Sequence, residues 1–421
     1  MSKVKNIGFA NIILAIIAIT LFITPKLLNP IFIAVLFLFV TLRYFFFNPK
    51  IHKQNFSKIH VFFSTYFVLL IISLFYSENF SYGIKVVFSY IPFFIIPLIS
   101  LFISKDEVDL GFISKYYIYF LCLIFLVLFT VAVYRNYEEG YSFNYFLNAL
   151  LNSESNVEKF KYFNYWYFVY DKFVEPINIQ PIYLGLFANI GVILLLFQNT
   201  YKKVKYFFPQ FIILSLLVLF CGSRWQTLIF TLNYFLYVVF FHKSKYHKKV
   251  IILVLLGALI TLVTLLNPVT KTRLQEAFSF KEAFYEDQFG STSIRVKKWS
   301  SAIKCVLRSP FIGYGAGDGK EVLLNQFKRD KFYLAYYNKY NSHNQYLDTL
   351  LYIGLGGLLT LFMIFYYSYK RARNKMYILM ITNTFLVGFI TESMLNRQWG
   401  IISFTFFSII FSTFSFKTNE T

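Results

Sequence analysis

The chain has 421 residues, of which 57% are hydrophobic and only 14% charged, a balance that excludes an ordinary soluble globular protein. Its 41 Lys and Arg against 20 Asp and Glu give a net charge of +21, which in a soluble chain would point to nucleic acid. Three scattered cysteines, Cys122, Cys221 and Cys305, lack ligand spacing and argue against a disulfide framework or a metal site.

Twelve apolar runs long enough to cross about 30 Å of hydrocarbon recur along the chain. They lie near 7–24, 28–47, 58–76, 85–103, 113–134, 181–199, 206–221, 225–241, 249–266, 344–368, 376–391 and 399–415. The run at 206–221 is short and carries Pro209 near its start. In lipid every backbone polar group needs an internal partner, so helices are the expected solution. A barrel would alternate with period two in segments of about ten residues, and these runs are continuous. The first run follows Lys3 and Lys5 but has no small-residue cleavage site after it, and reads as a retained span. The expected fold is all-α, a polytopic integral membrane helical bundle of about twelve transmembrane helices. Residues 1–134 hold helices 1–5, 135–180 a first outer loop, and 181–266 helices 6–9. A large outer loop follows at 267–343, then helices 10–12 and a tail at 344–421.

Every second short loop is basic. Lys50, Lys53, Lys58, Lys105, Lys202, Lys203, Lys205, Lys243, Lys245, Lys370, Arg371 and Lys375 fall on one side, whereas the opposite short loops carry only Lys26, Lys85, Arg224 and Arg397. This alternation predicts that both termini are cytoplasmic and both long loops lie outside. The positive excess is then a topology signal and a contact for anionic membrane lipids, with no nucleic acid partner.

The first long loop contains Tyr165-Trp166-Tyr167. Such aromatics suit a segment at headgroup level, and sugar stacking would use the same residues without being demanded by them. The second predicts a helix from Ser293 to Leu307, then a tight reversal at Ser309-Pro310-Phe311-Ile312-Gly313-Tyr314-Gly315-Ala316-Gly317. A loop of that length is usually functional.

At the end of this loop His343, one of five histidines, stands where a polar segment meets an apolar helix. A titratable group there suits a substrate that is half lipid and half polar, although a snorkelling imidazole would look the same. Arg224 sits in a very short outer loop, where its planar fork could grip phosphate oxygens or merely anchor the helix among headgroups. Arg295 opens the candidate helix and shares a face with Trp299, as in a surface amphipathic helix. Arg397 lies in the last short outer loop, close enough in sequence to pair with Glu392. Asp348, one turn beyond His343, could orient the imidazole or the helix. The arginines and His343 fall on one predicted side, as transfer from a lipid diphosphate would need: arginines for the leaving group, the imidazole for the acceptor hydroxyl proton. The outer boundary has no paired carboxylates of metal-ligand character, so a metal-free mechanism without cofactor is expected.

These residues resemble the O-antigen ligase and O-antigen polymerase superfamily. The resemblance rests on Gly222-Ser223-Arg224, on Arg295 with Trp299 and Ala302, and on Ser309-Pro310-Phe311-Ile312-Gly313-Tyr314-Gly315. It continues through His343-Asn344-Gln345-Tyr346-Leu347 with Gly354, and through the Glu392-to-Arg397 loop. It covers about 205–410; the N-terminal half is similar only in hydropathy. It implies a metal-independent glycosyltransferase of the bacterial inner (cytoplasmic) membrane with a periplasmic active site. The donor would be a glycan on undecaprenyl diphosphate, and the acceptor the lipid A core oligosaccharide for a ligase or a second lipid-linked glycan for a polymerase. By the same resemblance Arg224 and Arg295 would bind the diphosphate and His343 would activate the acceptor; Arg397 is expected as a third diphosphate ligand, with Asn344, Tyr346, Asp348 and Glu392 as supporting residues. One departure is Gln180-Pro181-Ile182-Tyr183, where family members often carry His-Pro-x-Tyr. A transporter or flippase is the rival from another class; it predicts broken helices and midplane charges.

Overall fold

The computed structural model describes residues 8–23, 28–47, 52–140, 164–201, 205–241, 291–372 and 375–416, with scattered positions between 251 and 260. Most of the predicted span at 249–266 and of the loop before 291 lies outside these residues, as does 141–163. Among the described residues the structure is helical without strands, a polytopic membrane bundle. Among the described residues six segments are, by length and composition, long and apolar enough to cross a membrane: Leu28–Phe46, Lys58–Tyr76, Phe80–Phe102, Lys105–Glu138, Pro181–Gln198 and Gln345–Ala372. Phe9–Thr20, Phe207–Phe220, Met376–Thr391 and Gln398–Thr413 are shorter apolar helices.

In chain order the helices are α1 (Phe9–Thr20), α2 (Leu28–Phe47), α3 (Lys58–Ser73), α4 (Phe80–Ser89), α5 (Pro92–Phe102), α6 (Leu110–Glu138), α7 (Tyr170–Val174) and α8 (Pro181–Tyr201). They continue as α9 (Phe207–Phe220), α10 (Arg224–Phe240), α11 (Ser291–Arg308), α12 (Gly319–Arg329), α13 (Tyr333–Tyr337), α14 (Gln345–Ala372), α15 (Met376–Thr391) and α16 (Gln398–Thr413). The predicted run at 85–103 is two pieces, α4 and α5, because Pro92 withdraws a backbone donor and starts a new helix at its favoured first turn. Two compact units divide the chain: residues 1–114 with 281–421, and residues 115–280.

In the first unit α14 packs on α3 and α15, α16 on α5, and α11 on α14 and α12. Helix α16 is buried almost all round, which explains why it is apolar on every face. Its Phe404 is a hub, with Phe63, Phe93, Phe365, Phe385 and Phe389 all at ring-packing distance. In lipid such contacts stabilise by dense van der Waals packing, since the tails are as apolar as the rings. Lys375 precedes α15 and Glu392 follows it, so these charges stand at opposite ends of a 16-residue helix. Lys58, Lys370 and Arg371 share one cavity with Ser57, Ile59 and Tyr367, at the Lys375 end.

Helix α14 departs most from the single span expected at 344–368. Ile353 and Gly354 leave the helical region, Gly354 with φ +60° and ψ −158°. The chain turns so far that Tyr346 stacks on Phe362 with centroids 5.5 Å apart. A straight helix would separate those residues by about 24 Å. The break frees backbone groups that need partners, and the Pro310–Gly315 turn supplies them. Tyr314 N–H donates to Leu351 O (2.8 Å), Gly315 N–H to Tyr352 O (2.9 Å), and Leu355 N–H to Pro310 O (2.9 Å). Gly313, at φ +70°, fits because a Cβ there would lie 2.8 Å from two carbonyl oxygens of α14. The far side of the turn is tied down as well: Ala316 N–H donates to Ser73 Oγ, and Asp318 accepts from the backbone N–H groups of Glu78 and Asn79. The reversal expected from Pro310 and the glycines is therefore the plug of a broken helix.

Candidate functional site

In the first unit the site grows from two short loops, 341–344 before α14 and 392–397 between α15 and α16. Asn344 ends the first loop as a helix cap, its Oδ1 accepting from Leu347 N–H at 3.1 Å. Ser342, fully buried, donates its hydroxyl to Asp348, and Asn396 donates its side-chain amide to the same carboxylate. Gln345, also fully buried, accepts from Leu395 N–H at 2.7 Å. Asn344 N–H lies 3.2 Å from Ser393 Oγ. Asp348 and Gln345 thus stitch the loops together; Asp348 holds the turn before His343 and has no hydrogen bond to the imidazole itself.

This scaffold forces His343 into the left-handed region, φ +52°, with its N–H donating to Asn341 Oδ1 at 3.1 Å. Such a conformation costs on the order of 1 kcal/mol or more, and persists only where the surroundings impose it. The result is to bring His343 Nδ1 to 3.0 Å from Glu392 Oε2. A carboxylate on Nδ1 selects the tautomer that leaves Nε2 as the acceptor nitrogen. Among the described residues Nε2 has no protein hydrogen-bond partner, and about a quarter of the side chain is exposed.

Glu392 also ends α15, where the helix dipole disfavours negative charge. Burial opposes its ionisation too, but the His343 hydrogen bond and the positive charges of Arg295 and Lys298 outweigh it and hold the carboxyl below the usual range. Lys298 is 3% exposed on the face of α11 that continues through Ser301, Ala302 and Cys305. Its ammonium sits 3.7 Å from the centre of the Tyr340 ring, and Tyr340 meets the His343 ring edge-on at 6.1 Å. Burial pushes the Lys298 ammonium down to about 8, with Glu392 opposing that shift and Arg295 adding to it.

Of the residues named from sequence, the structure brings together His343, Glu392 and Arg295, and puts Asn344 and Asp348 beneath them. Tyr346 turns away; its hydroxyl donates to Leu386 O and its ring packs between Phe362 and Phe389. Arg397 is not the partner of Glu392, and no ion pair joins them among the described residues. It is exposed beside Lys320, whose ammonium is pushed down first by burial and then by the charges of Arg397 and Lys339. Lys298 and Gln345 were missed as site residues. Lys298 had a signal, since it stands three positions after Arg295 on a helix and so shares its face.

The second unit holds Arg224 at the first position of α10, after Gly222 with φ +57°. Asn189 of α8 donates to both the backbone and side-chain oxygens of Gln226, fixing the start of α10. An arginine at a helix N-terminus adds positive charge to the positive end of the dipole, an arrangement suited to an anion. Pro181 of the departing motif is the first residue of α8, and Tyr183 is fully buried in its core.

Residues 209–362 match the family model Wzy_C, described as O-antigen ligase, which places this part of the chain in the O-antigen ligase superfamily. The match spans Arg224, Arg295 and His343 and stops before Glu392. Among curated proteins no match was found.

Proposed function

From an O-antigen ligase domain at 209–362 in a bacterial membrane protein, we propose a metal-independent glycosyltransferase. It moves a glycan from undecaprenyl diphosphate to a lipid A-core acceptor at the periplasmic face of the inner membrane. The observation that carries this reading is the pair His343–Glu392, at 3.0 Å, with Nε2 open and the backbone held against its preference. His343 Nε2 takes the proton of the acceptor hydroxyl as that oxygen bonds to the donor sugar's anomeric carbon. The bond from that carbon to the phosphate oxygen breaks, and undecaprenyl diphosphate leaves with the electron pair. Glu392 stabilises the imidazolium that forms. Arg295 and Arg397 stabilise the departing charge, and Arg224, which like Arg295 resembles the family's arginines, is assigned the same class of ligand. The basic alternation of the loops supports the periplasmic placement. Transport is disfavoured because the groups freed at the Ile353–Gly354 break are already bonded to the 310–315 turn rather than open to a ligand.

The test is His343→Asn in proteoliposomes supplied with the lipid-linked donor and lipid A-core acceptor. Asparagine tolerates the left-handed backbone, so folding and donor binding should persist. Transfer should fall about a hundred- to ten-thousandfold, and EDTA should leave the wild-type rate unchanged. Transfer at the wild-type rate by the Asn variant would end the general-base assignment. Deletion in cells separates the acceptors: loss of a ligase leaves long lipid-linked glycan, whereas loss of a polymerase leaves single repeat units.

A further inference from the structure

The first outer loop carries a cavity that the reaction above does not use. Its volume is about 380 Å³, and Asn164, Trp166, Tyr167, Tyr170, Asp171 and Lys172 line it. That size is within the range of small-molecule sites, about 300–1,000 Å³. Trp166 lies at the rim with 45% of its surface exposed, so its ring is accessible to a ligand.

The floor is built rather than loose. Asn136 of α6 accepts from Asn164 N–H at 2.9 Å, and Asn164 Oδ1 accepts from Trp166 N–H at 3.2 Å. Glu139 accepts from the Asn164 side-chain amide and from the Tyr167 hydroxyl. Arg135 lies 5.6 Å from the centre of the Tyr167 ring and pairs with Glu175 at 2.8 Å. Tyr170 is held at φ +58°, a conformation that a tyrosine rarely adopts. An aromatic anchor for lipid headgroups needs none of this. It needs rings that face lipid, whereas these rings share a cavity with a carboxylate, an amide and an ammonium group.

A pyranose ring matches that lining. One face of the sugar is a patch of C–H bonds that lies on an aromatic ring, and its rim of hydroxyls needs oxygen and nitrogen partners. The position in the same unit adds a second argument. A Cβ on Gly222 would lie 2.8 Å from Val169 Cγ2 and 3.4 Å from the backbone N of Tyr170, so the cavity's own segment rests on Gly222. Arg224 follows two residues later.

We propose that Asn164, Trp166, Tyr170 and Asp171 form a carbohydrate subsite for the donor sugars next to the diphosphate. It rests on the reading of the chain as a lipid-linked glycan transferase. Trp166 supplies the stacking platform, and Asp171 and Asn164 receive the hydroxyl rim. Glycine at 222 is required because a side chain there would push the sugar-binding segment away from Arg224.

Two measurements on the full chain in lipid nanodiscs test this. The first is saturation-transfer NMR with the oligosaccharide released by mild acid from the lipid-linked donor. Wild type should saturate the sugar's ring protons, Trp166→Ala should abolish the effect, and Trp166→Phe should restore most of it. The second is kinetic: Trp166→Ala should raise the donor KM at least tenfold while affinity for sugar-free undecaprenyl diphosphate stays within twofold. An unchanged KM overturns the subsite. Equal loss of affinity for the sugar-free lipid does so too, because a headgroup anchor gives that result, as does a wild-type chain that transfers glycan yet shows no saturation. The NMR arm needs no turnover, so binding through Trp166 without any transfer would sink the proposed reaction and leave the subsite standing.

Discussion

Replacing Glu392 by Gln is the perturbation that most directly tests the dyad. Gln keeps the length of the side chain and an oxygen that can accept from His343 Nδ1–H. It removes the negative charge that faces the imidazolium when Nε2 takes a proton. With Nδ1 and Oε2 3.0 Å apart, the charge centres are about 4 Å from each other. Opposite charges at that distance interact by about 4 kcal/mol at an effective dielectric constant near 20. A charge-assisted hydrogen bond contributes about 1.5–3 kcal/mol net, so kcat should fall roughly ten- to a hundredfold. Donor KM should stay within about twofold, because Glu392 acts on the proton and not on the diphosphate. The assay is single-turnover transfer of radiolabelled glycan in proteoliposomes, with Glu392→Asp giving an intermediate rate as the charge is kept but drawn back. A Gln variant within twofold of wild type would refute the claim that this carboxylate supports the base. Stability gives a second readout. The Glu392 carboxyl is depressed in the fold, so its contribution is complete above the unfolded value near 4.3 and is lost as pH falls through the folded value. Wild type should therefore lose thermal stability on acidification more steeply than the Gln variant.

Gly354→Ala should be poorly tolerated, since the added Cβ would lie 2.2 Å from Phe311 O in a backbone region open only to glycine. A loss of about 3 kcal/mol or more should appear as reduced accumulation and faster proteolysis within 309–317, and a wild-type thermal midpoint would contradict the plugged break. Lys298 is a depressed base, so its ammonium penalises the folded state fully below about 8 and the penalty is relieved as pH rises toward the unfolded 10.4. Wild-type stability should rise across that interval by about 3 kcal/mol and Lys298→Met should flatten the rise; identical slopes would place the ammonium in water.

What the sequence disclosed and what it concealed have separate physical causes. Charge is so costly in hydrocarbon that it gathers between the apolar runs, and most described helices begin and end within a few residues of those runs. The break in α14 was hidden because Ile353 and Gly354 are as apolar as their neighbours, and glycine is frequent in membrane helices. The backbone angles of Gly354 and the bonds from Pro310, Tyr314 and Gly315 reveal that this glycine turns the chain. Sequence proximity misled at Glu392. Arg397 is five residues away and His343 forty-nine, yet the pair forms at the longer separation. The cause lies in the scaffold: Gln345 and Asp348 hold the 394–396 turn by polar contacts that neither periodicity nor charge pattern records. Lys298 shows the same limit from the other side. Its helix and its face were legible, but a lysine on an amphipathic helix is ordinarily a solvated charge. It becomes part of the site only because Tyr340 receives it and Glu392 needs a counter-charge at the end of a helix that repels it. A carboxylate kept ionised against both burial and the helix dipole is expensive to maintain. That two basic groups and a strained histidine are gathered around it is the strongest structural reason to look for proton chemistry at this position and not at the more exposed Arg397.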